Sequence, residues 1–229
     1  SYTLVLSLCL LFTSCNSTQE KTSQNESSNH LGLLKHDFPI SEAVRGDFDQ
    51  GLLLLHSFEY EDARSFFEKA VASDSNEVFA YWGIAMTHYK ALWGLQDLEA
   101  GREVMALIGE NKTDRLARAE EGIERDLWMG IEILYGEGEL TERNEAFAKH
   151  LKDLHAGYPA NQEVSAFYAL SLIWAAPIDA DDEVYKRSAA IAQSILAENP
   201  EHPGALHYTI HAFDNPELAP LAIEAANRY

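Results

Sequence analysis

A chain of 229 residues, 46% hydrophobic and 24% charged, has enough apolar material for one or two buried cores and the composition of an ordinary soluble protein. Its formal net charge of −20 repels phosphate backbones and anionic headgroups, which argues against nucleic acid as a partner. Both cysteines, Cys9 and Cys15, stand near the N-terminal end, so the remainder carries no disulfide framework, cysteine nucleophile or zinc knuckle.

In chain order, Leu4 to Phe12 is apolar apart from Ser7, and the first charge is Glu20. This looks like the apolar core of a signal peptide, too short to be a stable membrane span. Thr13-Ser14-Cys15 follows and resembles the lipobox of bacterial lipoproteins, in which a small residue precedes the cysteine that receives lipid. Phe12 stands where that pattern more usually has Leu. The resemblance implies a signal peptide over residues 1–15 and a lipid on Cys15. It also implies export to the bacterial cell envelope, periplasmic or at the outer membrane, with membrane contact only through that anchor. A plain secretory peptide cleaved nearby is the alternative. No basic residue or initiator Met precedes the apolar run, so the natural chain is expected to begin earlier. Residues 16–30 are almost wholly polar and are expected to form a disordered tether.

From residue 31 onward apolar residues recur at three- and four-residue spacings, and no run alternates long enough for a strand. The spacing predicts helices over Asp47–Ser57, Tyr60–Ala72, Val78–Leu92, Leu98–Ile108, Asp114–Tyr135, Glu142–His155, Gln162–Ala175, Asp182–Ala197, Pro203–Phe213 and Glu217–Tyr229. Breaks fall at Ser73-Asp74-Ser75-Asn76, Gly136-Glu137-Gly138, Gly157-Tyr158-Pro159, Asn199-Pro200 and Asp214-Asn215-Pro216, which are turn and helix-stop chemistry. The body therefore reads as all-α. Its last helix ends without a Gly, a Pro or a polar capping turn, so a continuation beyond Tyr229 is expected.

The helices pair, and small residues recur between large ones. Gly51, Ala63 and Ala70 flank Phe67, and Ala85 stands one repeat length, about 34 residues, after Gly51. Small side chains let neighbouring helices approach closely while large ones fill the gaps. Phe48-Asp49-Gln50-Gly51, Ala63-Arg64-Ser65-Phe66-Phe67, Ala80-Tyr81-Trp82-Gly83, Phe167-Tyr168-Ala169-Leu170-Ser171-Leu172 and His202-Pro203-Gly204-Ala205-Leu206-His207-Tyr208 resemble the tetratricopeptide repeat family, and more narrowly its exported bacterial members. The resemblance spans Phe48 to Tyr229 in patches and loses its spacing between Gly94 and Glu142. It implies helix hairpins stacked into a right-handed superhelix over residues 31–229, irregular in the middle. It also implies a non-catalytic scaffold that binds a protein or peptide in its concave groove.

Carried onto this chain, the family's groove-facing positions fall on Arg45, Phe48, Leu52, Leu55 and His56, then on Phe79, Trp82, Met86, Tyr89 and Lys90. Later units place Glu163, Ala166, Leu170, Ile173 and Trp174 there, followed by Gly204, His207, His211 and Asp214. The groove is thus expected to be aromatic and methionine-rich around Trp82, Met86, Tyr89 and Trp174, which suits an extended or helical peptide. A register shift of one residue returns the same side chains to the inter-helix core.

Chemistry-bearing residues are few. His207 and His211 share one helix face, as two imidazoles that hold a metal do, yet Tyr208 stands where a metalloprotease helix carries Glu. A metal-binding protein or metal-dependent enzyme built on that pair is one alternative; packing or groove-lining histidines are another. A glycan-binding component of an outer-membrane uptake system, stacking sugars on Trp82, Tyr89 and Trp174, is a third. Asp179, Asp181, Asp182 and Glu183 lack the spacing of a calcium loop, and Asp182 reads as a helix cap. Glu120, Glu121, Glu124 and Glu132 with Arg115, Arg118 and Arg125 read as a solvated, partly self-paired face. No phosphate loop, nucleophile elbow or nicotinamide fingerprint is present, so neither a catalytic residue nor a cofactor is expected.

Overall fold

The computed structural model describes residues 31–177 and 180–229. The signal segment, Cys15, the tether and Asp179 lie outside the described residues. Eleven α-helices occur among the described residues: α1 Glu42–His56, α2 Tyr60–Ser73, α3 Val78–Thr87, α4 Leu98–Ile108, α5 Lys112–Arg118, α6 Ile123–Leu134, α7 Leu140–Gly157, α8 Gln162–Trp174, α9 Asp182–Glu198, α10 Pro203–Ala212 and α11 Ile223–Arg228. Each packs on the next, so the body is helical and built from consecutive hairpins.

Several helices start where a side chain can take an otherwise unpaired backbone N–H. Asp97, Asn111, Asn161, Asp181 and His202 accept from Ala100, Asp114, Val164, Glu183 and Ala205, each bond contributing about 1 kcal/mol. The cap of α9 is therefore Asp181 rather than Asp182.

Two segments depart from the expected pattern. The helix expected to reach Leu92 stops at Thr87, whose hydroxyl donates to Ile84 O at 2.7 Å and accepts from Arg64 Nε at 2.8 Å. The chain then turns into a small antiparallel ribbon, β1 Tyr89–Lys90 with β2 Leu95–Gln96, joined through a 3-10 turn at Ala91–Trp93. Gly94, at φ 63, supplies the left-handed residue that closes it. The long helix expected over Asp114–Tyr135 is instead two, because Ala119 is extended and Gly122 sits at φ 106.

The small residues act as the spacing implies. A Cβ on Gly51 would stand 2.8 Å from the Phe67 ring, and one on Gly83 only 2.5 Å from it, so α1 and α3 both close onto α2 through that phenyl group. Phe48, Leu52, Phe67 and Phe79 are fully buried around it, each contributing about 1.5–3 kcal/mol by leaving water.

The two ends of the described chain meet. Leu33 N–H donates to Glu201 O at 2.8 Å, Asn199 Nδ2 donates to Leu33 O at 2.8 Å, and α1 packs on α10. This contact brings the first helices of early and late hairpins face to face and decides what lies inside.

Candidate functional site

The residues expected to line an open groove are mostly interior. Phe48, Leu52, Leu55, His56, Phe79, Trp82, Met86, Tyr89, Glu163, Ala166 and Leu170 are buried, while Lys90, Trp174, His207 and His211 are half-buried. They meet one another across the body. The rings of Trp82 and Phe167 pack edge to face at 5.3 Å, and those of Tyr89 and Trp174 at 4.9 Å. The space left among Leu55, Met86, Tyr89, Leu170 and Trp174 is a cavity of about 10 Å³, too small for any peptide side chain. Trp82 and Tyr89 offer no open stacking face for a sugar either. The physical reason is that these helices pack on one another: Trp82 and Tyr89 meet Phe167 and Trp174 of α8, and α1 meets α10, so groove positions become core positions. Lys90 points outward and pairs with Glu61 at 2.8 Å.

A polar network sits inside this core, where α1, α8 and α10 converge. His56 Nε2 donates to Glu163 Oε2 at 2.6 Å, and Tyr208 Oη donates to His56 Nδ1 at 2.7 Å. His202 Nε2 stands 3.3 Å from Glu163 Oε1, out of line for a hydrogen bond. All four side chains are buried. Burial pushes the Glu163 carboxyl up, but the imidazoles of His56 and His202 overcome it and hold the group well below the usual carboxylate range. Burial drives the His56 imidazole down toward its neutral form, with Glu163 pulling the other way. A metal among His56, Glu163 and His202 is disfavoured by proton placement. His202 Nδ1 accepts the Ala205 N–H at 3.2 Å, so its proton sits on Nε2 and no lone pair faces Glu163. The 2.6 Å His56–Glu163 contact is likewise a direct hydrogen bond. The sequence placed His56 and Glu163 on a common groove, but nothing in their spacing announced that they pair.

One step outward on α10 stand His207 and His211. Their Nε2 atoms are 3.0 Å apart, and His207 Nδ1 donates to the His56 carbonyl at 2.7 Å. Burial lowers His207 to about 4 and also lowers His211, which the carboxylate of Asp214 partly offsets. Phe58 holds the pair in place, its ring lying 4.3 Å from His207 and 5.5 Å from His211. Phe58 takes φ 61, a left-handed conformation that helix ends ordinarily give to Gly.

Phe58 also connects the histidine pair to the outer surface. Its other neighbours include Trp93, at 5.5 Å, on the turn of the β-ribbon. Trp93 is 55% exposed and Leu95 59% exposed. Leu95 forms one wall of an open cleft of about 630 Å³ whose other lining residues include Glu61, Arg64, Lys90, Asp97 and Glu99. Sequence reasoning missed this cleft because the ribbon was read as the end of a helix.

No family model matches the chain, and neither a curated protein nor a solved structure matches it. No helix among the described residues is long and apolar enough to cross a membrane.

Proposed function

We propose that the protein is a non-catalytic docking module of the tetratricopeptide type, a helical-repeat superhelix held at a bacterial envelope membrane by lipid on Cys15. Its ligand is a protein segment. The docking surface is the cleft beside the β-ribbon, not the concave face, because the concave positions are spent on the core.

One observation carries this reading. Trp93 and Leu95 expose large apolar area on a projecting turn, beside a cleft of about 630 Å³ that carries both cationic and anionic groups. Exposed aromatics flanked by polar residues are the composition of an interface centre. A peptide with one apolar anchor and charges of both signs complements Leu95, Lys90, Arg64 and Asp97.

The test is capture from a native envelope extract with the body from Leu31 as bait and a Trp93→Ala, Leu95→Ala bait in parallel. Both baits must be equally helical, which is expected since the two side chains are exposed. A protein retained by the first and lost by the second identifies the partner. Identical retention by both baits, or none by either, removes the cleft from consideration.

A further inference from the structure

We infer that His207 and His211 form a site for a borderline transition-metal dication, zinc(II) or copper(II), bound through their two Nε2 atoms. The inference is independent of protein docking at the ribbon.

Four observations converge on it. The first is geometric. Two imidazoles on a tetrahedral zinc, with Zn–N near 2.0–2.1 Å, place their nitrogens about 3.3 Å apart. The Nε2 atoms stand 3.0 Å apart in a hydrogen bond, so binding replaces the shared proton, widens the gap by a few tenths of an ångström and turns the two lone pairs toward one point. The second is proton placement. The His56 carbonyl can only accept, so His207 carries its proton on Nδ1 and keeps the Nε2 lone pair turned toward His211. An imidazole whose second nitrogen donates to a carbonyl is the usual arrangement of a metal ligand. In the unbound chain His211 Nε2–H donates to the His207 Nε2 lone pair, its one side-chain hydrogen bond among the described residues, so moving that proton to Nδ1 gives up a single bond that coordination by both nitrogens replaces.

The third is the enclosure. Phe58 packs on both rings and Tyr229 stacks on His207 at 4.7 Å, which fixes the imidazole planes and dries one side. The fourth is access. Both histidines are half-buried rather than sealed, and the carboxylate of Asp214 and a chain charge of −20 favour the approach of a cation. Two nitrogen donors with open positions suit zinc, copper and nickel and disfavour magnesium and calcium, which require oxygen. Water completes the coordination.

The contrast with His56, Glu163 and His202 sharpens the assignment. Those three are closer to a full ligand set by residue type, yet their nitrogens already carry protons toward the carboxylate. At His207 and His211 the lone pairs, not the protons, can converge.

The experiment is calorimetric titration of the chain with zinc chloride and copper(II) sulfate, with magnesium chloride as reference, plus the EPR spectrum of the copper complex. Expected are one ion per chain, copper tighter than zinc, no binding of magnesium, and nitrogen hyperfine structure from two imidazoles. His211→Ala is half-buried, so it should fold, and it is expected to lose affinity by roughly tenfold or more and show one nitrogen. His150→Ala, on α7, is expected to bind as the parent does. Absence of zinc and copper binding overturns the site. So does undiminished affinity in His211→Ala. Loss in Glu163→Gln with His211→Ala unaffected places the ion in the inner cluster and overturns it too.

Discussion

His56 on α1 and Glu163 on α8 are joined by a 2.6 Å hydrogen bond across 107 positions of sequence, with both side chains fully buried. A buried carboxylate survives only with polar groups around it, and here they come from two other helices: His56 on α1 donates a hydrogen bond, and the His202 imidazole at the start of α10 stands 3.3 Å away. Removing the carboxylate leaves the neutral His56 N–H buried and unpaired, which costs about 1–3 kcal/mol. Glu163→Ala is therefore expected to lower the unfolding free energy by that amount, read as a lower urea midpoint at unchanged slope. A loss below about 1 kcal/mol, the worth of a surface pair, would mean that the network does not hold α1, α8 and α10 together. The same group sets an acid limit. Its pKa is depressed in the fold, so its contribution is present above the unfolded value of about 4.5 and lost as pH falls below it. Glu163→Gln should flatten that acid limb.

Glu124 carries the opposite dependence. Burial, with the Glu77 and Glu120 carboxylates adding to it, raises this carboxyl to about 7, against a hydrogen bond from the Glu120 N–H. A raised carboxyl contributes stability below about pH 4.5 that is lost as pH rises through about 7. Between pH 5 and pH 8 the parent is expected to lose about 1–2 kcal/mol more than Glu124→Gln, after allowance for partial solvation. Parallel pH dependence in the two proteins would refute the shift.

What the sequence disclosed tracks the range of the interactions involved. Tyr60–Ser73 and Leu98–Ile108 are fixed by apolar spacing and local capping, and both were legible to within a residue. The break at Gly122 was not, because a glycine among helical residues reads equally well as a packing glycine, and only its φ of 106 tells the two apart. Two-residue strands such as Tyr89–Lys90 have no period to detect. The four-residue spacing of His207 and His211 exposed that pair, but their orientation depends on the His56 carbonyl and the Phe58 ring. The groove assignment required knowing that α1 reaches α10, a contact between the two ends of the described chain. The solvated, partly self-paired face expected of α5 and α6 holds in part: Glu120 and Glu121 are exposed and Arg115–Glu132 and Arg125–Glu121 pair, but Glu124 and Glu132 are buried.

Gly83 tests the close approach of α3 to α2. Alanine in a helix interior normally gains about 1 kcal/mol over glycine. A Cβ here would lie 2.5 Å from ring atoms of Phe67, which is fully buried and packed on Phe48 at 5.5 Å, so the ring has nowhere to retreat. Overpacking of this kind costs about 1–3 kcal/mol and is expected to outweigh the propensity gain. Gly83→Ala should thus melt below the parent, while the exposed Gly46→Ala, with open space at its Cβ, should melt at or above it. A stabilised Gly83→Ala would show that α2 and α3 can part cheaply.

Glu132 ties α5 to α6 where the expected long helix is broken. Its two oxygens accept from Arg115 Nε at 2.6 Å and Nη2 at 2.7 Å, and Oε1 also accepts the Trp128 indole N–H at 2.9 Å. The bidentate pair joins α5 to α6 across the Gly122 turn, and Arg115 adds a bond from Nη1 to Gly109 O at 3.2 Å. The side chain of Glu132 is 4% exposed and that of Arg115 13%, so solvent screens this pair far less than a surface pair. Glu132→Ala removes three acceptor contacts at once and strands a guanidinium and a buried indole N–H, an expected cost of about 3 kcal/mol. Glu132→Gln keeps one acceptor oxygen but places an amide donor against the guanidinium, so about half that loss is expected. Arg115→Lys keeps the charge and loses the fork, and should fall near Glu132→Gln. Chemical denaturation of the three variants reads the order, with urea slopes checked for a common unfolded state. If all three lie within about 0.5 kcal/mol of the parent, α5 is held by its backbone and the ion pair is incidental.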